Sequence, residues 1–262
     1  MAGYGVAEET PAQDMELLAR LPEPIVAALD EECTPTPEQV EQYAKDGHII
    51  MRSILPPPLL EVLREAIAEH TYRRNPRTTP LAERNTYDRA FIQVGGMWAH
   101  GGLARAFTFS KRLASCAARL MGSAGALLHH DQALFKEAEG GFTPWHCAPP
   151  PLFPRSLAAR LPSSARRSRE SDAALAAPGD QQYWPLETNS SPTISAWIPL
   201  CDCPLPMGPL MFASGSHRWP SARDGTGLHD IRISDESESE IWRHVHESGC
   251  EVACDGLRLG DV

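Results

Sequence analysis

The sequence predicts a mostly β domain preceded by helices, with a jelly roll as its architecture, and three observations point there. The 262 residues include 24 Pro and 19 Gly, a leaning toward strands, turns and irregular segments that disfavours a purely helical bundle. From about Ala126 the chain falls into short apolar runs punctuated by Gly and Pro: 126–136 (ALLHHDQALFK), 193–200 (TISAWIPL) and 209–213 (PLMFA). Such spacing is that of an all-β sandwich or barrel. Ahead of these runs, apolar residues recur at helical intervals.

Taken in order, Met15, Leu17, Leu18, Leu21, Ile25, Val26 and Leu29 suggest a helical segment over 14–32, interrupted by Pro22 and Pro24. A better-marked helix starts after Thr36: threonine is an N-cap residue, Pro37 suits the first helical position, and Gln39 stands where a capping box needs it. It should stop near Asp46-Gly47. His48 to Ile54 reads as a short strand. Pro56-Pro57-Pro58 then opens an amphipathic helix with Leu59, Leu60, Leu63 and Ile67 on one stripe and Glu61, Arg64 and Glu65 facing water.

The formal charge is −10, and an acidic chain repels phosphate backbones and anionic lipid surfaces. Neither nucleic acid nor membrane is the expected partner; a small molecule is. Met1 to Gln13 is acidic and lacks the basic and apolar regions of a leader, so a cytoplasmic protein is expected. The seven cysteines (Cys33, Cys116, Cys147, Cys201, Cys203, Cys250 and Cys254) are odd in number and form no CxxC pair, so reduced thiols are expected rather than a disulfide framework or structural zinc.

One segment departs from this texture. Ala148–Gly179 holds eight Ala, six Pro, five Arg and five Ser in 32 residues, and its charge reverses the sign of the whole. That composition buries too little apolar area to offset its ordering entropy, so the stretch is expected to be a disordered insert. Closing a loop of that length costs roughly 3 kcal/mol. Looping it out joins Cys147 to Asp180 and turns the flanks into TPWHC-DQQYWPLET, a His-x-Asp triplet. Residues i and i+2 of a strand share a face, so His146 and Asp180 would present an imidazole and a carboxylate to one point. That is two-thirds of the facial triad that holds non-heme Fe(II) with open coordination positions. The triplet by itself is also what chance and surface hydrogen bonding produce.

The surround of the triplet resembles the phytanoyl-CoA dioxygenase (PhyH) family of Fe(II)/2-oxoglutarate oxygenases. The segments that carry the resemblance are TPEQVEQYAKDGHIIMRSILPPPLLEVLREAI (36–67), HDQALFKEAEGG (130–141), TPWHC-DQQYWPLET, SAWIPL (195–200) and MGPLMFASGSHR (207–218). The resemblance implies a double-stranded β-helix, a cupin-like jelly roll, over residues 36–262, with 1–35 an acidic peripheral segment. It implies oxygenation, as hydroxylation of a small organic or acyl substrate, coupled to decarboxylation of 2-oxoglutarate, with O2 as co-reactant. His146 and Asp180 carry over as metal ligands, and Trp197 matches an aromatic position beside the cosubstrate. Gln132 and Lys136 lie on the preceding strand as further cosubstrate-binding candidates. Lys136 could attract a carboxylate, or be a solvated strand-end lysine.

The family's second iron-binding His and its carboxylate-gripping Arg follow a Gly-Asp turn on a late strand. Leu259-Gly260-Asp261-Val262 looks like that turn, and neither group has a match before Val262. Impaired iron binding, with the last strands missing, is therefore expected of residues 1–262. The alternative is a non-catalytic relative that uses the jelly-roll cavity for binding or as a scaffold.

Other motifs have plainer readings. His244-Val245-His246 falls in an expected helix, where i and i+2 diverge by about 200° and cannot chelate one ion. His130 and Gln132 could face a barrel interior, or His130 could be a hydrogen-bonded core residue. Ser214-Gly215-Ser216-His217 is hydrolase-like in composition alone, because a base must meet its nucleophile in space. Cys201 and Cys203 alternate on a strand as two inert thiols.

An Ala/Pro/Arg/Ser tract in the middle of a ligand motif has the character of retained noncoding sequence. Amplification of the transcript across codons 147–180 should yield a product without the tract as the main species; its presence in most mature messages would reject that origin.

Overall fold

Residues 12–75, 78–137, 192–218 and 235–262 are described by the computed structural model. The tract 148–179, together with His146 and Asp180, lies outside the described residues.

The helical layer forms where local signals ask for it. Helix α1 (Ala12–Ala19) ends before Pro22, and α2 (Glu23–Ala27) restarts with Pro24 in its first turn, where a missing N–H costs nothing. Helix α3 (Pro37–Asp46) carries the expected capping box: Thr36 Oγ1 accepts from the Gln39 amide at 3.3 Å, and Gln39 Oε1 accepts from the Thr36 amide at 2.8 Å. Gly47 closes it in the left-handed region at φ 79°. Helix α4 (Pro57–Arg74) buries Leu59, Leu60, Leu63, Ala66, His70 and Thr71, and exposes Glu61, Arg64 and Glu65. Helices α5 (Thr86–Ala90), α6 (Gly102–Thr108) and α7 (Lys111–Leu120) follow; Asn85 caps α5 and Ser110 caps α7.

Two small antiparallel sheets accompany the helices. Strand β1 (Ile92–Gly95) pairs with β2 (Gln132–Phe135) in the register Ile92↔Phe135 to Gly95↔Gln132. Strand β3 (Phe212–Ala213) pairs with β4 (Val252–Ala253), and a single bridge joins Cys203 to Leu257. Helix α8 (Asp235–Ser248) precedes β4 and contains His244-Val245-His246, as expected.

The strands are shorter than the sequence predicts. Within 126–136 only Gln132–Phe135 enters a ladder; the preceding residues lie largely open, with Leu127 98% exposed. Residues 193–200 run without a ladder, and Pro199, Pro204, Pro206 and Pro209 remove amides that pairing would need. His48–Ile54, expected as a strand, is not assigned as one. Ser53 takes the left-handed region at φ 55°, which breaks an extended run. On either side of that turn the backbone bonds to the chain's last residues. Met51 and Val262 exchange N–H···O bonds at 2.8 and 3.0 Å, and the Leu55 amide donates to the Gly260 carbonyl at 3.0 Å.

Three buried clusters form the core. Leu29, Leu55, Leu59, Leu60, Leu63, Ala66, Leu103 and Phe107 make the first, with Ile198, Leu200, Leu259 and Val262 against it. Cys33, Tyr43, Met51, Cys116 and Leu120 make the second, which Val262 also touches. Ile92, Val94, Met97, Ala104 and Ala133 form the third beneath β1 and β2.

The C-terminal residues are held by Asp261, 2% exposed. Its carboxylate accepts from the Ser53 amide (3.0 Å), the Arg258 amide (3.0 Å) and Arg52 Nη1 (2.7 Å). Burial opposes ionisation, but these donors outweigh it and hold the carboxyl below its ordinary range. Gly260 sits at φ 106°, and a Cβ there would lie 2.7 Å from the Leu55 carbonyl oxygen, so this turn needs glycine.

Asp261→Ala should cost about 2–4 kcal/mol, since it strands two amides and one end of an Arg pair, as read by chemical denaturation. Because the folded pKa is depressed, Asp261's contribution is present above the unfolded pKa. It is lost as pH falls below about 4, an acid sensitivity that the variant should lack.

Candidate metal and cosubstrate site

The residues expected around the metal fall on two segments, and the structure describes part of the set. Gln132 opens β2 and Lys136 follows its end; Ala133, between them and facing the other way, is buried in the third core cluster. Gln132 is exposed. Its Oε1 accepts from Gln93 Nε2 across the ladder and lies 3.3 Å from His130 Nε2. His130 is therefore a hydrogen-bonded histidine beside an exposed strand start. Lys136 has its ammonium pushed below the ordinary lysine range by partial burial, an effect that the nearby Cys203 thiol opposes. Cys203 lies at the far end of the 192–203 segment that also carries Trp197, so these two stretches approach each other. Trp197 is half-buried, next to Ile198, which packs on the first core cluster. Among the described residues, no group of three or more His, Cys, Asp or Glu is arranged to hold a metal ion.

Several chemically notable side chains escaped the sequence reading. Asp131, just before β2, accepts from the Trp98 amide at 2.9 Å and from Thr108 Oγ1 at 3.4 Å, while its Oδ1 is buried without a partner. Burial pushes its carboxyl up, against the lowering effect of the Trp98 amide and His130. It braces the short helical turn Met97–Ala99 against the strand. The only hint in the sequence is its place beside a strand start.

The segment Ser214–Arg218 folds onto the C-terminal end of α3. Ser214 meets a histidine in space, but the partner is His48, at 2.9 Å, rather than the neighbouring His217. His48 stacks on Phe212 with centroids 4.6 Å apart and planes 8° from parallel. The Gly215 amide donates to the Asp46 carbonyl at 2.7 Å. The His217 ring packs over Gly47, and its Nδ1 is buried without a partner. A Cβ on Gly47 would lie 2.2 Å from that nitrogen. The imidazole therefore seats this loop on the glycine that ends α3. Burial, reinforced by the Arg218 charge, drives the His217 pKa down to about 4.

Residues 170–246 match the model of the phytanoyl-CoA dioxygenase (PhyH) family. The matched span includes Asp180, Trp197 and the Ser214–His217 segment. No match was found among the curated proteins or the solved structures compared.

A histidine with a depressed folded pKa contributes its stability fully above the unfolded value near 6.5, and loses it as pH falls toward 4. Unfolding measured between pH 7 and pH 4 should show a loss of roughly 3 kcal/mol that is absent from His217→Gln.

Proposed function

We propose that this protein belongs to the phytanoyl-CoA dioxygenase family and is an Fe(II)- and 2-oxoglutarate-dependent dioxygenase that hydroxylates a small organic or acyl substrate. The observation that carries the reading is the family match over 170–246, which runs through one half of the His-x-Asp motif formed by His146 and Asp180. Membership supports an oxygenase-type chemistry; the metal, cosubstrate and substrate class are the proposal. A jelly roll is the proposed frame, and the antiparallel pairing of both small sheets is compatible with it.

His146 and Asp180 would hold the iron, which when bound supplies the activation of O2 that no side chain can provide. The protein's own groups have simpler tasks. Lys136, exposed after the end of β2, offers a cation for a carboxylate of 2-oxoglutarate. Gln132, tied to Gln93 and His130, is a neutral donor and acceptor on the same strand face. Trp197 is an aromatic wall beside the cosubstrate, fixed by its neighbour Ile198 in the core. Among the described residues no helix is long and apolar enough to cross a membrane, and a small-molecule partner is proposed in place of a lipid surface.

Anaerobic titration of residues 1–262 with Fe(II) and 2-oxoglutarate tests this reading through the visible charge-transfer band of the chelated metal. A band should form at high metal concentration, and His146→Ala or Asp180→Ala should each weaken iron binding on the order of 100-fold. Lys136→Ala should weaken 2-oxoglutarate about tenfold, one lost charge-assisted contact, with iron binding unchanged. A folded protein that gives no band, either intact or with 148–179 deleted, would favour a non-catalytic binding relative.

A further inference from the structure

Two buried thiols share one core cluster although they stand 83 positions apart in the chain. Cys33 stands in the connection between α2 and α3 and is 7% exposed; Cys116 stands within α7 and is 5% exposed. They belong to one buried cluster with Tyr43, Met51 and Leu120, and the Cys33 backbone is bonded to the residue that precedes Cys116. Both backbones are anchored to keep them there. The Cys33 amide donates to Ser115 Oγ at 2.9 Å, and the Ser115 hydroxyl donates to the Arg112 carbonyl at 3.2 Å. Arg119 donates to the Cys33 carbonyl and pairs with Glu32, which Lys111 also reaches at 3.1 Å. The connection is thus laid along α7 by contacts on both sides of the two sulfurs.

We propose that Cys33 and Cys116 form a reversible disulfide, a modification site that staples the α2–α3 connection to α7 under oxidation by a peroxide or a small-molecule disulfide. With hydrogen peroxide the balance is simple. One thiol takes an oxygen as sulfenic acid and releases water; the second attacks that sulfur, and a second water leaves. Two S–H bonds and one O–O bond break, one S–S and two O–H bonds form, and the sulfur pair supplies the two electrons that reduce peroxide to water.

The environment sets when this happens. Burial and the neighbouring Cys33 push the Cys116 thiol up to about 12, so thiolate is scarce in the closed protein. Burial of both thiols slows access of the oxidant, and the contacts along α7 keep the two segments together for the second step. The cross-link closes a long loop and restrains the unfolded chain. Because Met51 and Val262 touch the same cluster, the staple also stiffens the contact between the 48–55 segment and the end of the chain.

The test treats the full chain with hydrogen peroxide and, separately, with oxidised glutathione, blocks the remaining thiols, digests without reduction and identifies linked peptides by mass. The Cys33 and Cys116 peptides should be recovered joined to each other, with formation accelerated by low denaturant. The thermal midpoint should rise on the order of 5–10 °C and return on reduction. Cys33→Ala and Cys116→Ala should each abolish the rise, whereas the combined variant Cys147→Ser, Cys201→Ser, Cys203→Ser, Cys250→Ser and Cys254→Ser should keep it. Recovery of Cys33 and Cys116 as separately blocked thiols, their linkage to other cysteines alone, or an equal rise in Cys33→Ala overturns the proposal. The peptide result on the unmodified chain decides even if an alanine variant fails to fold.

Discussion

The fastening of the chain's last residues onto the turn at Arg52-Ser53 is the constraint on which the described structure depends. Asp261 collects the Ser53 and Arg258 amides and the Arg52 guanidinium, and Arg52 Nη1 also reaches the Gly256 carbonyl at 3.0 Å. A carboxylate this buried is stable only because each of its contacts comes from a donor. With the turn fixed, Met51 and Leu55 meet Val262 and Gly260, and Val262 reaches two of the three core clusters. The helical layer and the C-terminal strands are thereby parts of one packing problem, although more than 200 residues separate Arg52 from Asp261.

What could be read in the sequence follows the range of the interactions involved. The α3 capping box depends on residues three apart, and the apolar stripe of α4 on intervals of three and four, so both were legible. The left-handed stop at Gly47 was legible for the same reason. The 48–54 segment differs from the expected strand because Ser53 turns the chain and the backbone bonds of Met51 and the following Leu55 go to Val262 and Gly260, partners that no local pattern announces. The short ladders at β2 and β3 have a similar origin: strand propensity in 126–136 and 209–213 is real, but propensity forms a strand only where a neighbour supplies donors and acceptors in register.

The candidate site divides along the same line. The family resemblance was carried by motifs, and the match across 170–246 supports it. Which side chains brace those motifs was hidden. Ser214 and His217 are near neighbours in sequence, yet one bonds His48 and the other packs on Gly47, both just past α3. Asp131 likewise gives no sign, in the string HHDQALF, that it will accept the Trp98 amide 33 positions away. Such contacts depend on the tertiary placement of helices that the sequence predicts only as separate elements.

Helix α7 shows how these placements become fixed. Arg112 donates through Nε to the Ala28 carbonyl at 2.6 Å and through Nη1 to the Ile54 carbonyl at 3.2 Å, while Nη2 meets Glu31. One planar guanidinium thus satisfies the end of α2 and the segment that carries the Arg52-Ser53 turn. A lysine, with a single point charge, could not span two carbonyls in fixed directions. The outer ion pair with Glu31, 65% exposed, adds little stability of its own. Its use is to hold the fork in plane so that the two carbonyl bonds form together. The same helix holds Cys33 through Ser115 and Arg119, so the α2–α3 connection, the 48–55 segment and the end of the chain are positioned from one helix face, and displacement of any one loosens the donors that serve the others.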